Sequence, residues 1–278
     1  MEDNKAPGNT EIDLKRIEDK FILPKDEIDD VKEMVGKHIP EYSHDPGANY
    51  TINRSIYFDS PDLTFFKQHL NGLGERRKIR IRTYYPDGVP NHIYFIEIKS
   101  KNDGDSTKTR VQLSELGYEY VMKNNEIKLD EDLYITNEEV PKDQVTKHAN
   151  VINYLLTLNK CTPVVDITYK RCAYQENEKF RVTIDEEIKC RPLRYINLST
   201  IQDLRNQDLW DDIEEYKDKF SNDKNFLLEV KYNNEYEKWF EMMIKGLDVE
   251  ETGFSKYVWA LSNILDDTLS SIKKGLKK

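Results

Sequence analysis

Lysine or arginine falls on alternate positions in five stretches of the chain, with aliphatic or aromatic residues on the opposite face and, in several, a glutamate on the charged one. The stretches are Arg16-Ile17-Glu18-Asp19-Lys20-Phe21, Lys78-Ile79-Arg80-Ile81-Arg82, Phe95-Ile96-Glu97-Ile98-Lys99, Tyr169-Lys170-Arg171 continued by Phe180-Arg181-Val182-Thr183-Ile184-Asp185, and Leu228-Glu229-Val230-Lys231-Tyr232. A period of two is the strand period, so each stretch predicts a strand with one apolar and one cationic, carboxylate-bearing face. Any one of them alone reads as an antiparallel strand with its polar face in water. Five of them suggest charged faces that converge. A closed barrel lined by Arg, Lys and Glu repels itself unless water, metal and a polyanion fill it, which points to phosphate.

Further alternation extends the strand set to residues near 12–23, 51–59, 76–85, 92–101, 108–113, 163–174, 179–187 and 226–232. Eight strands are the number at which a barrel just holds one small ligand. Helical periodicity covers 26–38, 114–124, 144–159, 203–220, 235–247 and 255 to the C-terminus. Ser60-Pro61-Asp62 reads as a helix start, with Ser60 as cap and Leu63, Phe66 and Leu70 as the buried stripe. The expected fold is therefore α+β: an antiparallel eight-stranded β tunnel or barrel with a polar lumen, wrapped by helices that cover its outward aliphatic face. Residues 1–11 are expected to be a flexible segment and 12–278 a single domain.

Composition narrows the function. The net charge is −10 and 34% of residues are charged, with a mean hydropathy of −0.79. An acidic exterior argues against nucleic-acid or anionic-membrane binding, so the cationic strands are a local concentration that focuses an anion site. Three cysteines, without CxxC spacing, imply no disulfide framework and a reducing, cytoplasmic setting. No apolar leader and no run of eighteen or more apolar residues occurs, so neither secretion nor membrane insertion by this chain is expected. The five histidines lack HxH or HExxH spacing, and no GxSxG, GxxxxGK[ST] or GxGxxG is present.

The series Arg16-x-Glu18-x-Lys20-Phe21, Ser55-Ile56-Tyr57-Phe58-Asp59-Ser60, Lys78-x-Arg80-x-Arg82, Glu97-x-Lys99, Tyr169-x-Arg171, Arg181-x-Thr183-x-Asp185, Leu228-Glu229-Val230-Lys231 and Phe254-Ser255-Lys256-Tyr257 resembles the VTC (vacuolar transporter chaperone) domain. That domain is the polyphosphate polymerase branch of the triphosphate tunnel metalloenzymes, and the likeness runs in the family's order over about residues 12–265. It implies a β tunnel whose lumen binds a triphosphate, with Mn²⁺ or Mg²⁺ held by an acidic residue. Lys20, Arg80, Arg82, Lys99, Arg171 and Lys256 would be the catalytic phosphate-binding cations. Tyr169, Ser255, Lys231, Arg110 and Arg181 would add substrate contacts, with Arg181 at the tunnel wall, and Glu229 and Glu18 would be the metal ligands. Apart from the resemblance, Glu229 also reads as a lumen carboxylate paired with a neighbouring Lys or Arg.

These residue types suit phosphoryl transfer, which needs positioning and charge neutralisation more than covalent work. Arginine supplies planar forks and lysine a point charge, while a hard cation takes carboxylate and phosphate oxygens. The related CYTH-type tripolyphosphatases and thiamine triphosphatases carry Glu-x-Glu-x-Lys on the first strand where this chain has Arg16-x-Glu18-x-Lys20. The expected activity is hence transfer of the ATP γ-phosphate to polyphosphate or inorganic phosphate. The alternatives are a metal-dependent (tri)polyphosphatase or nucleoside triphosphatase of the same fold, and a non-catalytic polyphosphate or inositol-phosphate sensor. The family's eukaryotic subunits add a regulatory helical domain and membrane helices that this sequence does not display, so polymer translocation is not expected of this chain alone.

Overall fold

The computed structural model describes residues 16–43, 47–102, 105–130, 132–135, 141–177, 179–193 and 220–275. In chain order the elements are β1 (Arg16–Pro24), α1 (Ile28–Gly36), β2 (Thr51–Asp59), α2 (Thr64–Leu70), β3 (Arg76–Pro86), β4 (Tyr94–Asn102), β5 (Asp105–Leu113), α3 (Glu115–Asn124) and α4 (Lys142–Leu158). After them come β6 (Thr162–Asn177), β7 (Phe180–Pro192), β8 (Phe220–Asn222), β9 (Asn225–Asn233), α5 (Lys238–Leu247) and α6 (Lys256–Gly275). The expected helix over 203–220 lies outside the described residues, except that Phe220 opens strand β8.

Every ladder is antiparallel, and the order across the sheet is β1-β9-β7-β6-β2-β3-β4-β5, with the short β8 beside β7. The sheet curls until its two ends meet: Lys99 on β4 lies 3.6 Å from Glu18 on β1. Among the described residues no β1–β5 ladder completes the circuit, and the single Glu18–Lys99 ion pair spans the gap between β1 and β4. The predicted eight-stranded antiparallel tunnel is the fold observed.

Alternation drives the curl, because the aliphatic half of each strand must be covered by helices. Ile79, Ile81, Ile96, Ile98, Val111 and Leu113 pack under α3 and α4 through Tyr118, Val121, Val145, Ile152 and Leu156. On the other side Phe21, Leu23, Val182, Ile184, Leu228 and Val230 meet Val31 and Val35 of α1 and Phe240 and Met243 of α5. Helix α6 departs from the expected outer wrap. Its Tyr257, Ala260, Leu261 and Ile264 pack on Tyr57, Val165, Ile167, Tyr169 and Leu227. Those strand residues share parity with the charged positions, so α6 lies against the concave face and the lumen is polar only in part.

The start of α2 is also corrected. The helix begins at Thr64 after Leu63, which takes the left-handed conformation (φ 59°). Ser60 Oγ accepts from Thr64 N at 2.9 Å, and the fully buried Asp59 carboxylate accepts from the amides of Ser60, Phe65 and Phe66 at 2.7, 2.9 and 2.9 Å. Leu70 is 56% exposed, and Phe65 and Phe66 form the buried stripe instead. Tyr257 Oη donates to Asp59 at 2.5 Å, so one carboxylate ties β2, α2 and α6 together. Asp59→Asn replaces one acceptor oxygen by an NH₂ facing donors; the variant should melt lower, with a loss of about 1–2 kcal/mol in urea titration. Unchanged stability would show that α6 is seated by its apolar contacts alone.

Candidate anion-binding tunnel

Strand pairing fixes which charges share a rung. On one wall Arg80 of β3 stands opposite Glu97 of β4, and Glu97 opposite Arg110 of β5. Arg80 Nε donates to Glu97 Oε1 at 2.6 Å and Arg80 Nη1 to Tyr57 Oη at 3.1 Å. Lys108 Nζ lies 3.2 Å from the other Glu97 oxygen. One step along β3, Arg82 donates to Ser55 Oγ and Tyr169 Oη, both at 3.4 Å, and no carboxylate among the described residues lies within ion-pair distance of it.

The facing wall carries Arg171, which forks onto Asp185 at 2.5 and 2.7 Å. Lys256, from the first turn of α6, donates to the same Asp185 at 2.6 Å. Near the seam Glu18 gathers Lys20, Lys231 and Lys99 at 2.9, 3.1 and 3.6 Å. Lys231 also lies 3.2 Å from Glu229, so one ammonium links the two candidate metal ligands. Ser255 Oγ accepts from Lys78 Nζ at 3.0 Å and from Val258 N at 3.3 Å.

These positions bring Lys20, Arg80, Arg82, Lys99, Arg171, Lys256, Tyr169, Ser255, Lys231, Glu18 and Glu229 onto one concave surface. Arg110 and Arg181 stand at its margins. The Arg110 guanidinium carbon lies 3.4 Å from the Phe95 ring centroid, and that of Arg181 lies 5.2 Å from the Tyr42 centroid. Position 16 belongs to β1 opposite Asn233, and its side chain is outside the described residues.

Sequence patterning includes Lys78 in its motif, yet the resemblance assigns it no role. Its side chain faces the same way as Arg80 and Arg82, and no carboxylate among the described residues is within ion-pair distance. Burial, then repulsion from Lys20, Arg80 and Lys99, pushes its ammonium well below the ordinary lysine range. The carboxylates shift in the opposite sense. Burial alone would raise Glu229, but Lys231, Arg171 and Lys256 outweigh it and hold the group at about 2. Glu97 is likewise held below the carboxylate range, burial being outweighed by Arg80, Arg82 and Lys108. Asp185 behaves the same way under Arg171 and Lys256. The cations on this surface outnumber Glu18, Glu97, Asp185 and Glu229, which leaves a field suited to several negative charges at once.

The donor set that faces a divalent cation here is small. No group of three or more His, Cys, Asp or Glu is clustered among the described residues. Glu18 and Glu229 both reach the Lys231 ammonium, so two carboxylates already converge on one positive centre. Magnesium sites of the kind completed by substrate phosphate need only one or two carboxylates. Glu18 and Glu229 therefore fit a metal that arrives with phosphate, and do not form a stand-alone cage.

A curled antiparallel sheet with a cation-rich concave face defines a candidate anion-binding tunnel. The VTC domain family model matches residues 15–264, and the chain belongs to that family. Vacuolar transporter chaperone complex subunit 4 of Schizosaccharomyces pombe is 23% identical over 199 residues, which are 66% of this chain and 27% of that protein. The chain thus spans about a quarter of the length of that relative. Among solved structures, a candidate adenylate cyclase from Bacillus halodurans aligns at 12% identity with a TM-score of 0.47, over 87% of this chain and 96% of that one. A protein of Pyrococcus horikoshii aligns at 16% identity with a TM-score of 0.44, over 89% and 98%. Among the described residues no helix is long and apolar enough to cross a membrane.

Proposed function

We propose that this chain is a metal-dependent polyphosphate polymerase that transfers the γ-phosphate of ATP to a growing chain and releases ADP. The observation that carries this reading is the pair Arg82 and Lys78: half-buried lumen cations with no carboxylate within ion-pair distance among the described residues, beside a convergent Glu18–Glu229 pair. Unpaired cations are costly in an apo protein and are offset when a polyanion enters. Family membership supports phosphate chemistry, and the relative in S. pombe, a chaperone-complex subunit, supports action within a larger assembly.

In this reading Arg80, Arg82, Arg171, Lys20, Lys99 and Lys256 hold the triphosphate, and Tyr169 and Ser255 orient it. Glu18 and Glu229 would hold Mn²⁺ or Mg²⁺, which supplies charge neutralisation at the phosphate oxygens. A terminal oxygen of polyphosphate or inorganic phosphate bonds to Pγ as the bond from Pγ to the β,γ-bridging oxygen breaks, and that electron pair leaves on ADP. Cytoplasmic ATP would be the donor.

The test is incubation of the purified chain with ATP and Mn²⁺, following ADP, free phosphate and acid-stable polymer together. The polymerase reading expects ADP in excess of free phosphate, with the balance in polymer that a polyphosphatase degrades. ADP and phosphate in equal amounts, without polymer even when short polyphosphate is added, would make water the acceptor and the chain a triphosphatase. Tight binding of polyphosphate without any turnover would make it a sensor.

A further inference from the structure

Two aromatic rings interrupt the charged surface at one end of the tunnel. Phe95 is on the same face of β4 as Glu97 and Lys99, and Tyr84 on the same face of β3 as Arg80 and Arg82. Their centroids lie 6.1 Å apart in an edge arrangement. Both side chains are partly exposed, and Phe95 belongs to none of the three apolar clusters among the described residues. A phenylalanine that looks into a charged lumen gains nothing from the core, so core packing does not explain its presence there.

The Arg110 guanidinium carbon lies over this ring, 3.4 Å from the centroid, and its Nε is buried without a hydrogen-bond partner among the described residues. Arg82 completes the group, 5.9 Å from the Tyr84 centroid. Gln112 stands directly opposite Phe95 on β5, which places an amide at the edge of the aromatic patch, while Asn53, opposite Tyr84 on β2, is buried and donates to the Thr51 carbonyl. The opposite end of the same strands carries Lys78, Lys99, Lys101 and Arg76, with no ring on the lumen face. The tunnel is therefore chemically different at its two ends.

Guanidinium and aromatic planes are the standard stacking partners of nucleobases, and amides pair with base edges. The geometry points to a nucleobase subsite on Phe95, Arg110 and Tyr84, which seats the base of a nucleoside triphosphate at this end with its phosphates directed toward Arg82 and Arg80. Arg80 is one rung, roughly 7 Å, further along β3 than Arg82. The subsite rests on the reading of the lumen as a triphosphate site. It makes the donor a nucleotide and assigns Arg110 to the base instead of the phosphates.

The test compares two ligands by calorimetry on the full chain: ATP with an imido group at its β,γ-bridge, and inorganic tripolyphosphate. Phe95→Leu keeps apolar bulk and loses the ring. It should weaken the nucleotide analogue about tenfold, a typical loss for one stacked base, and leave tripolyphosphate within twofold. Phe95→Tyr should bind both ligands as the wild type does. Equal weakening of both ligands, or of neither, would overturn the subsite while leaving triphosphate binding intact. A wild-type chain that binds neither ligand would instead remove the triphosphate reading, and the subsite with it. Should Phe95→Leu fail to fold, Arg110→Lys decides, because it keeps the charge and loses the plane: selective loss of the nucleotide analogue supports the subsite, and parallel loss or none overturns it.

Discussion

Glu229→Gln should lower turnover at least a hundredfold in folded protein, because the change removes one of the two converging carboxylates with little change in volume. Metal-assisted charge stabilisation is worth several kcal/mol, and a hundredfold corresponds to about 2.7 kcal/mol. Lys231 keeps its contact with Glu18 at 3.1 Å, so the β1–β9 ladder retains a cross-strand ion pair. The carboxyl also makes a pH-dependent contribution whose sign follows from its depressed pKa. Held at about 2 against an ordinary 4.5, Glu229 stabilises the fold above about pH 4.5, and that stabilisation is lost as pH falls toward 2. The Gln variant should therefore melt below wild type at pH 7, with a gap that closes on acidification. Circular dichroism melts at both pH values, beside ADP release at saturating ATP, check the two halves. Wild-type turnover at low Mn²⁺ would take Glu229 out of the site.

Arg82→Ala should weaken tripolyphosphate binding roughly 10- to 150-fold, about 1.5–3 kcal/mol for a charge-assisted hydrogen bond, without lowering the melting temperature of the apo protein. The sequence suggests the same for Arg80, but the structure separates the two. Arg80 is clamped on Glu97, whose carboxylate is buried, so Arg80→Ala leaves that charge with Lys108 alone among the described residues and should cost stability as well as binding. Among the described residues Arg82 donates to Ser55, Tyr169 and Tyr84 with no carboxylate in ion-pair distance, and relief of its burial and of repulsion from Arg80 offsets part of their loss. Melting curves and titrations on both variants check this. Normal binding with a destabilised apo state in Arg82→Ala would make the side chain structural.

Alternation reveals which face of a strand a residue occupies, and that made most of the tunnel legible in sequence. It does not reveal what lies across the lumen. Glu18 and Glu229 come from strands at opposite ends of the described chain, and only the β1–β9 register brings them to one lysine. An apolar helical stripe likewise announces burial without saying on which side of a sheet, so α6 was expected outside and lies on the concave face. Asp59 was visible only as part of a motif, because a carboxylate that accepts five hydrogen bonds and so joins three elements has no local signature. Those bonds also displace the start of α2 from the Ser-Pro-Asp signal to Thr64. Phe95 and Arg110 are fifteen positions apart in sequence and meet only through the β4–β5 hairpin.

Everything proposed depends on the concave face holding a polyanion. Calorimetric titration of the wild-type chain with inorganic tripolyphosphate, repeated across a range of salt, measures that directly. A single site is predicted, with an affinity that falls steeply as salt rises, since the recognising groups are charged. Absence of binding at low salt, or an affinity indifferent to salt, would contradict it.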